Sequence, residues 1–479
     1  MITLINTNRV APPIAPIGLD YLGGAVQRAG FQAELLDLSL GDQAETPLAG
    51  YFSRCRPDLV GLSFRNLDDC FWPSAQSFLP TLQQDVATIR RLTDAPIVIG
   101  GVGYSIFPQR ILQATRADFG ILGDGERALI ALLEELRGSR RWDRVPGLVY
   151  WRSDRVTANS PAWSDPSGIP TTRDLVDNRT YFRRGGQIGV ETQRGCPRHC
   201  AYCVDPLTKG RTLRLRAPAR VADEVQSLLS RGIDVLHLCD AEFNLRSSHA
   251  LAICDALIER GLGDRVRWYA YLAIRPFSRQ LAERMRRAGC AGINFTTDST
   301  HPTVLQSYRQ AHRLSDIAAA VHACRDAGIS VMLDLLLGGP EETPETAEET
   351  IRAVQAMEPD CVGAALGLRI YPGTEVAARL AAEGPLDRND SIRRRYSGAV
   401  DLLQPTFYIS PYLGSRPAQL INDLINGDPR FFPPEEEGSD FTPGCGGDHN
   451  YNANRELEQA IAAGARGAYW DILRQLRTI

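Results

Sequence analysis

Residues 194–203 read Arg-Gly-Cys-Pro-Arg-His-Cys-Ala-Tyr-Cys and place Cys196, Cys200 and Cys203 at C-x3-C-x2-C spacing on one short loop. Thiolates that converge in this way suit an iron–sulfur cluster or zinc. Closed zinc sites and fully protein-ligated clusters take four ligands, so three local cysteines leave one metal position open. The count favours a catalytic cluster that binds a small molecule at its unique iron. The alternatives are a zinc site with a distant fourth ligand and three buried structural cysteines.

Length and composition indicate an ordinary globular protein with several domains. The chain has 479 residues, enough for two or three domains, of which 43% are hydrophobic and 23% charged. Its formal net charge of −4 favours neither nucleic acid nor anionic lipid as a partner. No segment reads as a signal peptide or a membrane span. Eleven cysteines without a paired framework fit a reducing compartment, so we expect a cytoplasmic protein. From the charge and the lack of long apolar runs we expect no nucleic-acid or membrane partner.

Residues 1–145 alternate apolar runs with helical segments. Strands are predicted at 2–6, 33–38, 58–63, 96–99 and 118–122. This alternation predicts an α/β domain with a doubly wound parallel sheet, which binds ligands beyond the carboxyl ends of its strands. Gly100, Gly101 and Gly123 stand at those ends, where they let the backbone approach a ligand closely. No G-x-G-x-x-G motif follows the first strand, which disfavours a dinucleotide.

Residues 186–380 alternate again, in six strand–helix units. Strands are predicted at 188–192, 235–239, 266–272, 293–297, 331–337 and 362–370. Six units are too few for a closed eight-stranded barrel. Residues 146–185, with a small hairpin, are predicted as a linker, and residues 381–479 as a mostly helical C-terminal region with helices at 392–403 and 457–475. In that region the glycine-rich loop 444–450, with Cys445, Asp448 and His449, is predicted to close over a pocket; the alternative is a second metal site.

The cysteine stretch and the six units resemble the radical S-adenosylmethionine (SAM) enzymes. In that superfamily three cysteines hold a [4Fe-4S] cluster on a partial (β/α)6 barrel, and SAM chelates the fourth iron. The N-terminal sheet resembles the Rossmann-like cobalamin-binding domain that precedes the barrel in one subgroup. This second resemblance is carried by the Pro-rich turn at 11–16 and the glycines at 100–101 and 123–126. The chain is therefore similar to cobalamin-dependent radical SAM enzymes.

The resemblance implies a set of SAM-binding residues at the ends of barrel strands. Tyr202, between the second and third cysteines, should lie near adenine. Asp240 and Glu242 stand where the superfamily contacts the SAM amino group, and Asp298 stands where ribose-binding groups are expected. The remaining expected contacts are Gly338, Gly339 and Arg369. A helix cap or a satisfied loop role is the alternative for each residue.

For cobalamin the resemblance implies contacts at the ligand edge of the first sheet, namely Asn6, Pro13, Ser63, Arg65, Gly100, Gly101, Gly123 and Glu126. The cobalt-ligating motif Asp-x-His-x-x-Gly is replaced by Asn-Thr-Asn-Arg at 6–9, so no histidine ligand is expected. Arg65 should lie by the lower face of the corrin. Because a guanidinium stays protonated and has no lone pair to donate, it would leave cobalt without a protein ligand. The branch containing tryptophan 2-C-methyltransferases is similar in this respect; the alternative is that Arg65 pairs with Asp68 or Asp69.

The activity that the resemblance implies is methylation of a carbon centre in a small metabolite or peptide. Cys196, Cys200 and Cys203 would be the catalytic cysteines, SAM cleavage would yield a 5′-deoxyadenosyl radical, and cobalamin would deliver the methyl group. A flavodoxin- or ferredoxin-type protein would donate electrons. Three alternatives remain open: cyclisation or rearrangement without methyl transfer, polar methyl transfer without SAM homolysis, and a non-catalytic zinc or redox-sensing protein.

Overall fold

The structure is a computed structural model that describes residues 1–41, 46–436, 438 and 449–477. It consists of two α/β units, each built on a seven-stranded sheet, and a C-terminal region that packs against the second unit. Buried apolar side chains form two clusters in the first unit and one large cluster in the second. Among the described helices, none has the length and apolar character needed to cross a bilayer.

The first unit is a doubly wound sheet, as the sequence predicts. Its strands are β1 (Ile2–Asn6), β2 (Ala33–Asp37), β3 (Leu59–Ser63), β4 (Ile97–Gly100), β5 (Phe119–Ile121), β6 (Leu148–Arg152) and β7 (Arg155–Ala158). Its helices are α1 (Ile17–Arg28), α2 (Thr46–Phe52), α3 (Leu79–Leu92), α4 (Val102–Ile106), α5 (Pro108–Thr115) and α6 (Gly125–Arg137). The strand order is β2-β1-β3-β4-β5-β6-β7, and Ser63 at the end of β3 pairs with Gly100 at the end of β4. This register brings the predicted cobalamin contacts at the strand ends to one edge of the sheet, at the carboxyl ends of its parallel strands.

The hairpin β6–β7 differs from the linker that the sequence predicts for residues 146–185. It continues the first sheet, because β6 pairs antiparallel with β5 and β7 pairs antiparallel with β6. We therefore propose that the first domain extends to Ala158 and that the linker is confined to residues 159–185. The other proposed limits, 186–380 for the barrel and 381–479 for the C-terminal region, stay as the sequence predicts them.

The second unit is a partial barrel of parallel strands. Residues 186–380 and the C-terminal region contain β8 (Ile188–Val190), β9 (Gln193–Arg194), β10 (Arg214–Leu215), β11 (Val235–Leu238), β12 (Arg267–Ala273), β13 (Cys290–Asp298), β14 (Ser330–Leu337), β15 (Cys361–Leu366), β16 (Leu368–Arg369), β17 (Ile392–Arg394), β18 (Thr406–Tyr408) and β19 (Phe431–Phe432). The linker ends in α7 (Asn178–Gly185), and the helices that follow it are α8 (Asp205–Thr208), α9 (Pro218–Ser230), α10 (Ser247–Glu259), α11 (Arg279–Arg287), α12 (Pro302–Ser307), α13 (Leu314–Ala327), α14 (Pro344–Met357), α15 (Glu375–Glu383), α16 (Pro417–Ile425), α17 (Arg455–Ala462) and α18 (Tyr469–Arg477). The barrel order is β19-β15-β14-β13-β12-β11-β8, so a short seventh strand from the C-terminal region joins the six predicted ones.

Three predicted elements differ from the structure. The strand predicted at 362–370 breaks at Gly367, whose φ is +88°, and β16 pairs antiparallel with β18 in a separate sheet. The helix predicted at 392–403 is wrong, because β17 pairs with β18 instead. The helix predicted at 457–475 is two helices, α17 and α18, separated by Gly464 and Gly467 with φ of +110° and +157°.

A buried ionic network joins the two units through the linker. Arg173 in the linker pairs with Asp20 of α1 at 2.6 Å and with Glu224 of α9 at 2.9 Å, and all three side chains are fully buried. Glu224 also pairs with Arg216 at 2.7 Å and accepts a hydrogen bond from the Tyr21 hydroxyl at 2.8 Å. Buried charges are tolerated only when they are paired and hydrogen-bonded, and this network links α1 of the first unit to the linker and to α9 of the second.

Candidate active site

The cysteine loop begins at a position that only glycine fits. Gly195 has a φ of +89°, and a Cβ on it would lie 2.2 Å from the Thr212 carbonyl oxygen. The next residue, Cys196, donates its backbone N–H to the Gly210 carbonyl at 2.9 Å. These close backbone contacts set the direction in which the cysteine loop leaves β9.

The three thiols fit a cluster better than a single ion. Burial raises the pKa of all three thiols, to about 12 for Cys200, and nearby carboxylates add to this effect. Thiolates in such surroundings need positive charge, which cluster irons would supply. Across the described residues, no three His, Cys, Asp or Glu side chains are arranged around one ion position, as a closed zinc site would require. Thiols spaced along one loop can instead ligate separate irons of a cluster.

Asp240 lies at the carboxyl end of β11, where a contact with SAM is predicted. Its two carboxylate oxygens are occupied by protein: one accepts the backbone N–H groups of Thr192 and Gln193 at 2.8 and 3.1 Å, and the other accepts the Thr192 hydroxyl at 2.5 Å. Burial raises the pKa of Asp240 to about 6. Asp240 therefore fixes the backbone that leads into the cysteine loop. The contact of Asp240 with SAM stays a prediction.

Glu242 stands directly beside the cysteine loop. Arg198, which lies between the first two cysteines, pairs with Glu242 at 2.6 Å. The Thr296 hydroxyl donates to the other carboxylate oxygen, also at 2.6 Å. Burial raises the pKa of Glu242, while Arg198 opposes the shift. These contacts hold the Glu242 carboxylate beside the cysteine loop, and its contact with the SAM amino group stays a prediction.

Tyr202 and Asp298 meet at the opposite side of the cysteine loop. The Tyr202 hydroxyl donates to Asp298 at 2.7 Å, and the Gln310 amide bonds to the same carboxylate and, at 3.5 Å, to the Cys200 thiol. Burial raises the pKa of Asp298 to about 6. These contacts tie the cysteine loop to the carboxyl end of β13, where the sequence predicts the ribose site.

The glycine turn after β14 packs against Tyr308. Gly338 has a φ of +83°, and a Cβ on Gly339 would lie 1.8 Å from the Tyr308 hydroxyl oxygen. The backbone carbonyl of Tyr308 accepts the N–H of Ala201 in the cysteine loop at 3.1 Å. The turn is thus close enough to the loop for the predicted adenine contact of Gly338 and Gly339.

Arg369 is held by protein groups, and its contact with SAM stays a prediction. Its guanidinium pairs with Asp68 of the first unit at 2.9 Å and donates to the carbonyls of Ile370 and Leu402 at 2.7 and 3.0 Å. Both Arg369 and Asp68 are buried. Because its donors are used in this way, Arg369 joins the two units rather than presenting a free cation to a ligand.

Two adjoining cavities lie between the carboxyl edge of the first sheet and the barrel. The smaller, of about 210 Å³, runs along the ends of β3, β4 and β5 to Gly195 at the start of the cysteine loop. The larger, of about 520 Å³, is lined by both units and the C-terminal region. Ser63, Gly101, Lys209 and Cys239 line both cavities. A corrin held on the first sheet would face the barrel in this position.

Seven predicted cobalamin contacts line these cavities: Asn6, Ser63, Arg65, Gly100, Gly101, Gly123 and Glu126. Pro13 lines neither of them; its carbonyl oxygen packs against Gly185, where a Cβ would lie 2.1 Å away. Glu126 also pairs with Arg194 at 2.9 Å, so the first turn of α6 contacts the residue two positions before Cys196. The first unit therefore touches the cysteine loop directly.

Arg65 projects into the larger cavity without a carboxylate partner among the described residues. The two candidate partners are engaged elsewhere, since Asp68 pairs with Arg369 and Asp69 accepts a hydrogen bond from Asn450 at 3.1 Å. Arg65 and His237 of β11 line the same cavity, and burial, reinforced by the Arg65 guanidinium, lowers the pKa of His237 to about 4. The guanidinium is available to a bound group.

Several cavity residues were not recognised in the sequence. They are His237, Tyr271, Asn294, Tyr451, Tyr469 and Trp470. The first three lie on β11, β12 and β13 between buried apolar neighbours, so strand alternation could have identified them as facing the barrel interior. Nothing in the sequence of α18 shows that its aromatic residues enter the barrel. The predicted loop at 444–450 lies outside the described residues except for His449 and Asn450.

Comparisons with known proteins agree with this geometry. Residues 190–354 match the radical SAM superfamily and residues 3–133 match the B12 binding domain. The chain is 31% identical over 447 residues to tryptophan 2-C-methyltransferase of Streptomyces laurentii, which covers 80% of this chain and 74% of that protein.

Two solved structures of the radical SAM methyltransferase TsrM from Kitasatospora setae have the same fold. One, with tryptophan substrate and the SAM analogue aza-SAM bound, has a TM-score of 0.91 at 29% identity and covers 100% of this chain and 99% of that one. The other, with cobalamin and a [4Fe-4S] cluster bound, has a TM-score of 0.90 at 27% identity over 99% and 98% of the two chains. The chain belongs to the cobalamin-dependent radical SAM methyltransferases, whose cofactors are a [4Fe-4S] cluster, SAM and cobalamin.

Proposed function

We propose that this methyltransferase transfers a methyl group to a ring carbon of tryptophan or a closely related aromatic amino acid. The relative at 31% identity is named tryptophan 2-C-methyltransferase, and one similar structure holds tryptophan. The observation that carries the proposal is the larger cavity, whose walls in the barrel and the C-terminal region are aromatic: Tyr271, Tyr451, Tyr469 and Trp470. Flat apolar walls with a few polar groups suit an indole ring.

The aromatic walls are held rigidly. Tyr271 is 37% exposed although it lies on a central barrel strand, so its ring faces the cavity. The Trp470 indole N–H donates to the Asn294 side-chain oxygen at 2.6 Å, which fixes that ring inside the barrel. Rings held in place in this way can position a substrate ring with little loss of conformational entropy.

The residues around the cysteine loop would bind and orient the cofactors. We propose that Cys196, Cys200 and Cys203 ligate the cluster and that Glu242 and Tyr202 line the SAM site. When bound, SAM supplies the methyl group and cobalamin carries it to the substrate carbon. The protein keeps these groups in register and excludes water from the space between the two units.

Arg65 is proposed to lie below the cobalt. It carries a positive charge, cannot ligate the metal and has no carboxylate partner among the described residues. Ser63, Gly100, Gly101 and Gly123 at neighbouring strand ends would let the backbone approach the corrin closely.

We also propose an external electron donor of the flavodoxin or ferredoxin type. Cys254, Cys290, Cys324 and Cys361 are buried. Among the described residues no group of three or more His, Cys, Asp or Glu side chains is arranged to hold a metal ion, so these cysteines are assigned no electron-transfer role. A cytoplasmic location likewise stays a prediction from the sequence.

The test is anaerobic turnover of reconstituted enzyme with SAM and either tryptophan or phenylalanine. We expect methylated tryptophan, with the methyl group on an indole carbon by NMR, and no methylated phenylalanine. Cys196→Ala should abolish the product. Quantifying S-adenosylhomocysteine and 5′-deoxyadenosine in the same mixtures shows how SAM is consumed. Consumption of SAM with tryptophan recovered unchanged would contradict the proposal.

A further inference from the structure

One carboxylate in the barrel interior has no role in the functions assigned so far. Asp334 lies on β14 between Leu333 and Leu335, which are buried in the core cluster of the second unit. Because side chains alternate along a strand, Asp334 faces the opposite way, into the barrel. Its register neighbours are Thr296 on β13 and Gly363 on β15.

The contacts of Asp334 leave one of its oxygens uncovered. The Asn294 amide donates to Oδ2 of Asp334 at 3.3 Å. No hydrogen bond reaches Oδ1 among the described residues; a Cβ on Gly363 would lie 3.0 Å from it, with the Met332 methyl and the His449 ring 2.7 and 2.9 Å from the same position. Asn294 is itself oriented by Trp470, whose indole N–H it accepts, and both Asn294 and Trp470 line the larger cavity. Asp334 itself lines neither cavity, but it lies one hydrogen bond behind Asn294, at the edge of the proposed substrate site.

No charged group in the described residues neutralises Asp334. Burial is the main cause that raises the pKa of Asp334, and the Asp298 carboxylate adds to it. The pKa of Asp334 is raised to about 7. Tyr271 and His449 are the other titratable groups near it. Tyr271 faces the cavity and not bulk water, which together with Asp334 raises its pKa above the usual value, and burial lowers the pKa of His449 to about 4, so both are uncharged near neutral pH. A buried carboxylate without a cation is unfavourable, and a cationic ligand would compensate it.

We infer that Asp334, oriented by Asn294, binds the ammonium group of the substrate and selects amino acids over their desamino counterparts. The inference rests on the proposed function, since it assumes that the larger cavity holds the substrate. The side chain of an amino acid whose ring lies against Tyr271 and Trp470 would keep its ammonium group within reach of the uncovered oxygen. An ammonium has three donors and no acceptor, which matches a carboxylate with free lone pairs.

The test compares tryptophan with indole-3-propionate, which has the same ring and carboxylate but no amine. Dissociation constants are measured with anaerobically reconstituted holoenzyme. We expect Asp334→Asn to weaken tryptophan binding by about 10- to 100-fold, the range for a hydrogen-bonded charge, and to change indole-3-propionate binding by less than about twofold. Asp334→Glu should keep a preference for tryptophan. Asp264→Asn, an exposed position with no ionic partner in the described residues, is the matched control and should leave both constants unchanged.

The outcomes separate this inference from the proposed function. If the wild type methylates tryptophan but Asp334→Asn, folded by its melting temperature, affects both ligands equally, the inference is overturned and the function stands. If tryptophan is bound in an Asp334-dependent way but not methylated, the function fails and the ammonium site stands. If the wild type discriminates against neither ligand, the ammonium site is overturned.

Discussion

Arg65 is the single residue that tests how the first unit holds cobalamin. An imidazole has a nitrogen lone pair that can bind cobalt, whereas a guanidinium has none. Arg65→His should therefore change the visible absorption spectrum of the cobalamin-loaded protein. Arg65→Lys, which keeps the positive charge, should leave the spectrum close to that of the wild type. An unchanged spectrum in Arg65→His would remove Arg65 from the cobalt site.

Asp334 predicts a pH dependence of substrate binding. Because an ammonium ligand binds the ionised carboxylate, tryptophan affinity should fall as the pH falls through about 7, by roughly tenfold per pH unit well below it. Asp298, whose pKa is raised to about 6, titrates in the same range, so the comparison is made against Asp334→Asn, in which most of this dependence should be lost. Dissociation constants between about pH 5 and 8 check this. An identical slope in the variant would contradict the assignment.

An individual site residue can be predicted from the sequence when the residues that indicate its role lie close to it in the chain. The spacing of the three cysteines indicates a metal cluster. The glycines at the strand ends indicate which edge of the first sheet binds a ligand. Arg369 could not be placed in this way, because its partner Asp68 lies 301 residues away. One sequence gives no sign of such a pair, and an arginine near a strand end reads equally well as a ligand contact.

Among the elements, the turn that leads into the cysteine loop is expected to tolerate substitution least. Gly195→Ala should be strained by its φ of +89° and by a Cβ 2.2 Å from a carbonyl oxygen. Gly232→Ala is the matched control, because its φ is +80° but nothing lies within 4 Å of its Cβ. The left-handed backbone should cost each variant about 1 kcal/mol of unfolding free energy.

Only Gly195→Ala should lose more than this amount and also most of its cluster iron, since the cysteine loop must shift. Urea unfolding together with iron and sulfide content measures both effects. Equal iron content in the two variants would show that the turn does not position the cysteines.

The elements that the sequence predicts well have strong hydrophobic periodicity. β1 matches its predicted limits at 2–6, and β2 and β3 each differ by one residue at one end from the strands predicted at 33–38 and 58–63. The predicted helix at 392–403 failed because β17 gains its hydrogen bonds from the distant β18, a tertiary contact that overrides local propensity. The predicted helix at 457–475 contains Gly464 and Gly467, a stop signal that the sequence does carry.

For the molecule as a whole, the buried network around Arg173 predicts a coupling between the two units. Arg173→Met would leave Asp20 and Glu224 buried with less compensation, and removing one partner of such a pair costs about 3–5 kcal/mol. We expect a large loss of stability in urea unfolding and faster proteolysis within residues 159–185. Arg141→Gln, which breaks an exposed pair with Asp143, should change little. Equal stability of the two variants would contradict a role for the network in joining the units.

The two α/β folds follow from the sequence, whereas the contact between the two units does not. Alternating strands and helices predict a parallel sheet and a partial barrel. The strand-end glycines predict that the sheet binds cobalamin, and the cysteine motif predicts that the barrel binds the cluster and SAM. The aromatic wall from α18 and the pairing of Glu126 with Arg194 depend on how the units dock. Docking is specified by side chains far apart in the chain, which a local pattern does not reveal.

The fate of the SAM methyl group in anaerobic turnover decides whether cluster, corrin and substrate share one cavity for carbon methylation. Trideuteromethyl-SAM and tryptophan are incubated with protein that holds both metal cofactors, and the product is read by mass spectrometry. We predict tryptophan with the intact trideuteromethyl group on a ring carbon, formed only when both cofactors are present and lost in Cys200→Ala. Label on nitrogen, or equal product from protein without cobalamin, would contradict this account.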